Sequence, residues 1–374
     1  SVKINNISTA NHIEGERLIV TFKEPLQVNK TYLLAVVYQA TPIRGMKFYD
    51  DHLFTVYHTK NWLVSHDSIA DKASFELLLT HDSQLTSAGN GRLLSTGAML
   101  GDKVISHWLQ ASPIPVYTFG FALGEFEEIR ATHNNSQLSY LYRKNSKSGL
   151  QPKKIKDVFI DVPDMIDFFE NKAGFSLPNK AYQYVVVEGY MAQEATGFSL
   201  VGEKYVHTAL EDKNENWFIA HELAHEWWGN SITCANFSHF WLNEGLVQFL
   251  VAAYKQHLFG NSAYKQEIGV AIARVNRAVK KDKISPVAFK HQIKEQNINR
   301  TMTYSKGALI FYMLRNKLGE EIFWRALKHY SIKNQRLSVI TDDLKKAFEE
   351  VSKQDLTYFF NRWVYGKEIP KLIL

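Results

Sequence analysis

The 374-residue chain has a single cysteine, Cys234, so it can form no internal disulfide and cannot build a metal site from clustered thiolates, since both need at least two. The expectation for Cys234 is a small buried side chain. No stretch approaches the roughly 20 uninterrupted apolar residues of a membrane-spanning helix. The opening residues, SVKINNIS, lack the basic-then-apolar order of a secretory leader, although the chain starts at Ser1 rather than Met, as it would if an upstream segment had been removed. The chain as given therefore reads as soluble, with cytoplasmic and extracytoplasmic locations both open. Charge of one sign is not concentrated either. The formal net charge is +6, but Lys and Arg alternate with Asp and Glu, and the basic run at 153–156 is short. With no stacking motif and no basic stripe, nucleic acid is not expected as a partner.

What is present divides in two. The chain is too long for one comfortable core. Up to about residue 150 it carries β-branched or alternating runs, LIVTF at 18–22, YLLAVVY at 32–38, SFELLL at 74–79 and VYTFGFAL at 116–123, with turn residues such as Gly89-Asn90-Gly91 and Ser112-Pro113 between them. The polar, Gly/Pro-containing stretch 145–156 marks the expected junction. Beyond it, after one strand-like run at 182–191, apolar residues recur at three- and four-residue spacings. They do so in 216–228, 241–258, 263–279, 303–317, 321–330, 341–351 and 356–365. Gly229, Gly260 and Gly319 follow three of these segments where a helix end favours glycine. The predicted fold class is α+β: an all-β domain over 1–150, then a mainly helical domain with a small sheet over 151–374.

The segment HELAH at 221–225 places His221 and His225 four residues apart, on one face of a helix. Two imidazoles so placed can reach one Zn²⁺, and Glu222 beside them can handle the proton of an activated water. Eighteen residues separate His225 from Glu244, in the segment WLNEG at 241–245. An antiparallel helix pair would return Glu244 to the histidines and complete a His₂Glu set with the fourth position left for water, the pattern of catalytic zinc sites.

HELAHEWWGN followed by WLNEGLVQF resembles the aminopeptidase N family of gluzincin zinc metallopeptidases. The resemblance implies a thermolysin-like catalytic domain, one zinc per chain and roles for residues outside the metal motif. MTYSKGA at 302–308 is similar to the family's Y-x-K-G element, which puts Tyr304 in the place of the tyrosine that stabilises the oxyanion. MAQEATGF at 191–198 is similar to the family's G-x-M-E-N segment and later glycine, with Glu194 on the glutamate that binds the substrate α-amine and Gly197 on the glycine. Ala195 replaces the family's asparagine, and Glu188 is a rival for the amine-binding role. HDSIADKASFEL at 66–77, PIPVYTFGFALGEF at 113–126 and FFNRWVYGKEIPKL at 359–372 also look like family segments. YHTKNWLVS at 57–65 has no counterpart of the Gln/Glu pair that lines the family's first substrate pocket. Glu226, one residue past the second histidine, is expected either behind the metal ligands or on the surface.

The resemblance implies a zinc aminopeptidase that acts on peptides with a free N-terminus, with Glu222 and Tyr304 catalytic. Three rivals remain open on sequence: a zinc endopeptidase, which has no use for Glu194; another zinc hydrolase on the same core, such as an epoxide hydrolase; and a non-catalytic peptide-binding domain, which has no use for Glu222. Family members continue into a β-sandwich and a helical domain that roofs the active site. This chain stops before either, as expected of part of a longer protein or of a short member whose cleft is open or covered by a second chain.

Overall fold

The structure is a computed structural model describing residues 1–66, 68–146 and 149–372; Asp67 of the 66–77 segment and residues 147 and 148 of the expected junction lie outside it. Its class is α+β, a β-rich part followed by a mainly helical one. In the first part, Lys103–Pro115 is the central strand between Arg92–Ala98 and Lys72–Asp82, all antiparallel. The turn into Arg92–Ala98 uses Gly91 at φ +78°, where a Cβ would sit 2.1 Å from the Leu109 carbonyl oxygen, so only glycine fits. A four-stranded sheet orders Met46–Phe48, His52–Thr55, Phe121–Gly124 and Thr86–Gly89. The run 116–123, expected as one strand, instead begins with a turn. The Thr118 hydroxyl donates to the Pro115 carbonyl at 2.7 Å, and the strand starts only at Phe121.

The helical part contains α1 (Pro152–Val158), α2 (Val162–Ala173), α3 (Glu203–Glu211), α4 (Trp217–Ala224), α5 (Trp241–Phe259), α6 (Asn261–Lys280), α7 (Gly307–Leu318), α8 (Glu320–Lys333) and α9 (Thr341–Ser352). The periodic segments locate α4 to α9, whereas α1, α2 and α3 lie outside them. Helix α5 is buried from Trp241 to Lys255 on every face, which makes it the central helix rather than a surface one. Among the described residues, no helix is long and apolar enough to cross a membrane.

The two parts join through a sheet that runs across the expected junction. Phe126–His133 and Ser136–Arg143 form a hairpin whose second strand pairs in parallel with Ala181–Val187, which in turn pairs with Phe198–Gly202 and, through it, Ala192–Ala195. A hairpin before residue 150 has the same alternating signature whichever sheet it enters, so periodicity could not assign it. One sheet thus takes strands from both sides of residue 150.

The strand Ala181–Val187 is buried throughout, because each of its faces is covered. Tyr182, Tyr184 and Val186 point into the large helical core, while Val185 and Val187 pack with Phe54, Ala88 and Ala122 of the first part. The two tyrosines tie the strand to α4: the Tyr182 hydroxyl donates to the Glu222 carbonyl at 3.0 Å and the Tyr184 hydroxyl to that of Ile219 at 2.8 Å. The polypeptide carrying Glu222 is thereby fixed against the sheet that carries Glu194.

A second fixed contact joins α5 to α7. Gly245 lies against Gly307: a Cβ on Gly245 would meet Gly307 Cα at 2.8 Å and the Thr303 carbonyl oxygen at 2.9 Å, both of them backbone atoms. Glycines in the N-E-G and Y-x-K-G segments thus let two backbones touch. The contact sets the distance between Glu244 and Tyr304. Gly245→Ala is expected to lower stability by about 1–3 kcal/mol, the usual cost of overpacking, read as a lower denaturant midpoint at unchanged slope. An unchanged midpoint would show that the helices part without cost.

Candidate metal centre

Helix α4 ends at Ala224, and His225 follows as its cap with its N–H still turned to the His221 carbonyl. The expected helix through 228 is shorter because the chain turns back at 225–229, where Gly229 at φ +139° clears the His225 ring; a Cβ there would sit 2.6 Å from Nδ1. The same turn aims His225. Its Nδ1 donates to the Trp228 carbonyl at 3.0 Å, which leaves Nε2 free to face inward. From the start of α5, Glu244 comes back to both histidines, as an antiparallel return predicts. The Asn243 side chain anchors that helix start by accepting from the Cys234 N–H at 3.0 Å, and Cys234 is buried as expected.

His221 Nε2 and His225 Nε2 are 3.2 Å apart, and Glu244 Oε2 lies 3.4 and 3.5 Å from them. All three side chains are buried. The carboxylate contacts are long for hydrogen bonds, and Glu244 Oε2 has no hydrogen-bond partner. Three lone-pair atoms converging in this way fit a cation. In a tetrahedral site the ligand–ligand edge is about 1.63 times the bond, so bonds of about 2.0–2.2 Å need edges of about 3.3–3.6 Å. The observed triangle has that size, and two imidazoles with a carboxylate suit Zn²⁺.

The electrostatics favour a cation too. Burial pushes the His221 pKa down, against the pull of Glu244. Burial also works against a charge on His225, but Glu244, Glu194 and Glu222 around it prevail and raise it to about 10. The same potential that draws a proton to this point draws a metal ion. Glu244 stays ionised: burial works against its charge, yet the two histidines hold its carboxyl well below the usual range. Burial, with Glu194 and Glu244 nearby, drives the Glu222 carboxyl well above its ordinary value. Its Oε2 is likewise buried without a partner.

Tyr304 sits on a single π-helical turn, Met302–Lys306, that leads into α7, a local form common where a side chain is aimed at a site. Its ring lies parallel to that of His221, centroids 6.1 Å apart. Burial and the neighbouring carboxylates raise its pKa, so its hydroxyl remains a donor. Lys306 of the same turn donates to the Gly366 carbonyl at 2.8 Å, which explains why the closing segment 359–372 belongs to the unit. Glu194 comes from the strand Ala192–Ala195. One of its oxygens, one of Glu222 and a nitrogen of His225 all lie within 4.8 Å of each other. Burial lifts Glu194 to about 7. Two cavities open on the centre, ≈ 910 Å³ and ≈ 390 Å³; Glu194, Glu244 and Tyr304 line both, while His221 and Glu222 line only the smaller.

Residues 160–363 match the Peptidase family M1 domain, more than half of the chain. The chain belongs to peptidase family M1. It is 26% identical over 320 residues to aminopeptidase N of Escherichia coli (strain K12) and 24% identical over 320 residues to aminopeptidase M1-C of Oryza sativa subsp. japonica, each match covering 81% of this chain and 35% of the relative. The chain thus spans about a third of the length of the curated relatives it matches. The same fold occurs in an M1 zinc metallopeptidase from Deinococcus radiodurans, at TM-score 0.82 and 19% identity over 99% of this chain and 84% of that one. It also occurs in a two-domain M1 zinc metallopeptidase bound to L-arginine, at TM-score 0.82 and 19% identity over 100% of this chain and 85% of that one.

The remaining expected residues fall differently within this M1 site. Glu188 is exposed and pairs with Arg143 at 3.3 Å, so it is no rival to Glu194. Glu226 is not on the surface. Buried, it accepts from the Gly197 N–H at 2.8 Å and from Asn230 Nδ2 at 3.0 Å. Gly197, expected to touch substrate, lines neither cavity, and its N–H and carbonyl are taken by Glu226 and by the Gln183 N–H. Its φ of +86° and its approach to Gly91 make it a turn glycine. Tyr57 was missed on sequence: its hydroxyl donates to Glu194 Oε2 at 3.2 Å, and it lines both cavities. It therefore stands beside Glu194, within the segment 57–65 that has no counterpart of the family's Gln/Glu pair. Tyr57 and His58 have φ of +42° and +47°, a strained pair of the kind that clusters at functional sites.

Proposed function

We propose that the chain is a zinc-dependent aminopeptidase, hydrolysing the N-terminal bond of peptides that carry a free α-amine. The observation that carries this reading is the placing of Glu194, with an oxygen within 4.8 Å of ligating atoms of both Glu222 and His225. An extended residue spans about 3.3–3.6 Å. A carboxylate gripping an ammonium there leaves room for one residue between the N-terminus and the carbonyl under attack.

In this reading His221, His225 and Glu244 hold the metal. Zinc supplies Lewis acidity and a water acidic enough to ionise near neutral pH. Glu222 takes the proton of the attacking water and delivers it to the leaving amine, and a carboxyl with raised proton affinity suits both steps. Tyr304 donates to the oxyanion that develops on the carbonyl. Glu194, oriented by Tyr57, binds the substrate ammonium through a charge-assisted hydrogen bond and sets the register of the peptide.

The discriminating measurement compares free-amine and N-acetylated aminoacyl amides, using metal-loaded protein. Glu194→Ala is expected to lower kcat/KM on the free-amine substrates at least tenfold, about 1.4 kcal/mol, and to collapse the discrimination between the two. Equal cleavage of both by the parent, with neither changed in Glu194→Ala, would replace this reading by an endopeptidase on the same metal core.

A further inference from the structure

The two cavities are not equivalent once the proton path is fixed. On the aminopeptidase reading the leaving amine receives its proton from Glu222, so the leaving portion of the substrate lies where Glu222 is exposed. That is the smaller cavity, ≈ 390 Å³, because Glu222 does not line the larger. Its wall includes Arg274, from α6, which lines this cavity and not the larger, and Arg300, two residues before the turn bearing Tyr304, which stands where the two cavities meet and lines both.

Both arginines are exposed, and neither forms an ion pair among the described residues. The cavity they line also contains three carboxylates, Glu194, Glu222 and Glu244, yet these turn inward to the centre and leave both guanidinium groups unpaired. Each guanidinium nonetheless lies close enough to act on a tyrosine of the wall. Although burial raises both phenols, Arg300 draws Tyr304 down and Arg274 draws Tyr205 down. The cavity thus presents anionic groups at the catalytic centre and unpaired cations elsewhere on its wall. A short peptide bound with its ammonium on Glu194 has the complementary order of charge.

We propose that Arg274 and Arg300 form a subsite for a carboxylate on the leaving portion of the substrate, and that the C-terminal carboxylate of a short peptide is its ligand. The inference rests on the aminopeptidase reading. A guanidinium presents a planar fork of donors matched to a carboxylate, which a lone ammonium does not. Extended residues advance about 3.3–3.6 Å each, so the terminal carboxylate of a dipeptide or tripeptide lies about 7–11 Å from its N-terminal residue. A cavity of ≈ 390 Å³ is at the small end of ligand sites, the scale of one or two residues. An acidic side chain just after the scissile bond would offer the same chemistry, and the test separates the two sources.

The experiment measures kcat/KM of the metal-loaded chain on Ala-Ala, Ala-Ala-amide and Ala-Asp-amide. The parent is expected to prefer Ala-Ala over its amide at least tenfold, mainly through KM, with a preference that shrinks at high salt. The ratio should fall to within about twofold of unity in the Arg274→Ala/Arg300→Ala double variant, while Arg274→Lys keeps part of it. Both side chains are exposed, so the substitutions leave the core untouched, and the parent's own ratio already decides the main point. A preference confined to Ala-Asp-amide upholds a carboxylate subsite and moves its ligand to the side chain. Equal efficiency on all three substrates, or a preference that survives the double substitution, overturns the subsite and leaves the aminopeptidase reading standing. Hydrolysis of none of them overturns both.

Discussion

Glu222→Gln is expected to bind zinc and fold as the parent does while losing about 10²–10⁴ in kcat, the share usually supplied by general acid–base catalysis. The side chain is buried, its Oε2 has no hydrogen-bond partner, and it lines the smaller cavity. Glutamine has nearly the same shape and volume, so packing against the Tyr182 strand should survive, since that contact uses the Glu222 backbone carbonyl rather than the carboxyl. What the amide cannot do is take a proton. Its loss should appear in kcat far more than in KM. The variant should also be no less stable, because burial together with Glu194 and Glu244 already disfavours an ionised Glu222 in the parent, and a neutral glutamine is free of that cost. A turnover within a few fold of the parent would assign proton transfer to another group. Loss of zinc in parallel would instead show that Glu222 holds the site together.

The parts of this site that were legible in the sequence are those fixed by local spacing. His221 and His225 share a helical face by periodicity alone, and the step from HELAH to WLNEG brings Glu244 to them because the connection is just long enough for a helix to return. Tyr304 and Glu194 were legible only through the family resemblance, since an isolated tyrosine or glutamate carries no periodic signal. The long helices α4 to α9 were legible for the same reason as the histidines: a buried face repeats every three or four residues. What escaped depends on contacts between distant segments. The hairpin at 126–143 alternates as any half-buried strand pair does, and only its pairing with Ala181–Val187 places it in the second part. Tyr57 reaches Glu194 across 137 positions of chain, on a left-handed pair of residues that no composition rule picks out. Sequence left Glu226 open between the surface and a place behind the metal ligands, and what fixes it is a distant contact: a buried carboxylate must find donors, and one of them is the Gly197 N–H in the turn after the strand that carries Glu194. Gly245 and Gly307 were visible as motif letters. Their reason, two helix backbones in contact, was not.

His225→Ala should abolish metal binding, and with it activity, more completely than any other single change. The parent is expected to hold about one zinc per chain and the variant less than about a tenth of that by elemental analysis after dialysis. In the proposed centre His225 is one of three ligating side chains, and its ring is aimed by two features of its own turn, the Trp228 carbonyl on Nδ1 and the clearance left by Gly229. Alanine deletes the ligand and leaves two donors, His221 and Glu244, too few for a tetrahedral site closed by water. It also removes the positive partner that lowers Glu244 and opposes the raised pKa values of Glu194 and Glu222. Three buried carboxyls would then face one another without a cation, and at least one must take up a proton. The stability readout separates the two consequences. A ligand at a hundred times its Kd stabilises the folded state by about 2.7 kcal/mol, whereas one below its Kd adds less than about 0.4 kcal/mol. Added zinc should therefore raise the Tm of the metal-stripped parent by several degrees and leave that of His225→Ala almost unmoved. If the variant retains a full equivalent of zinc and the same thermal response, the metal sits on other residues, and the assignment of His221, His225 and Glu244 as its ligands falls together with the mechanism built on it.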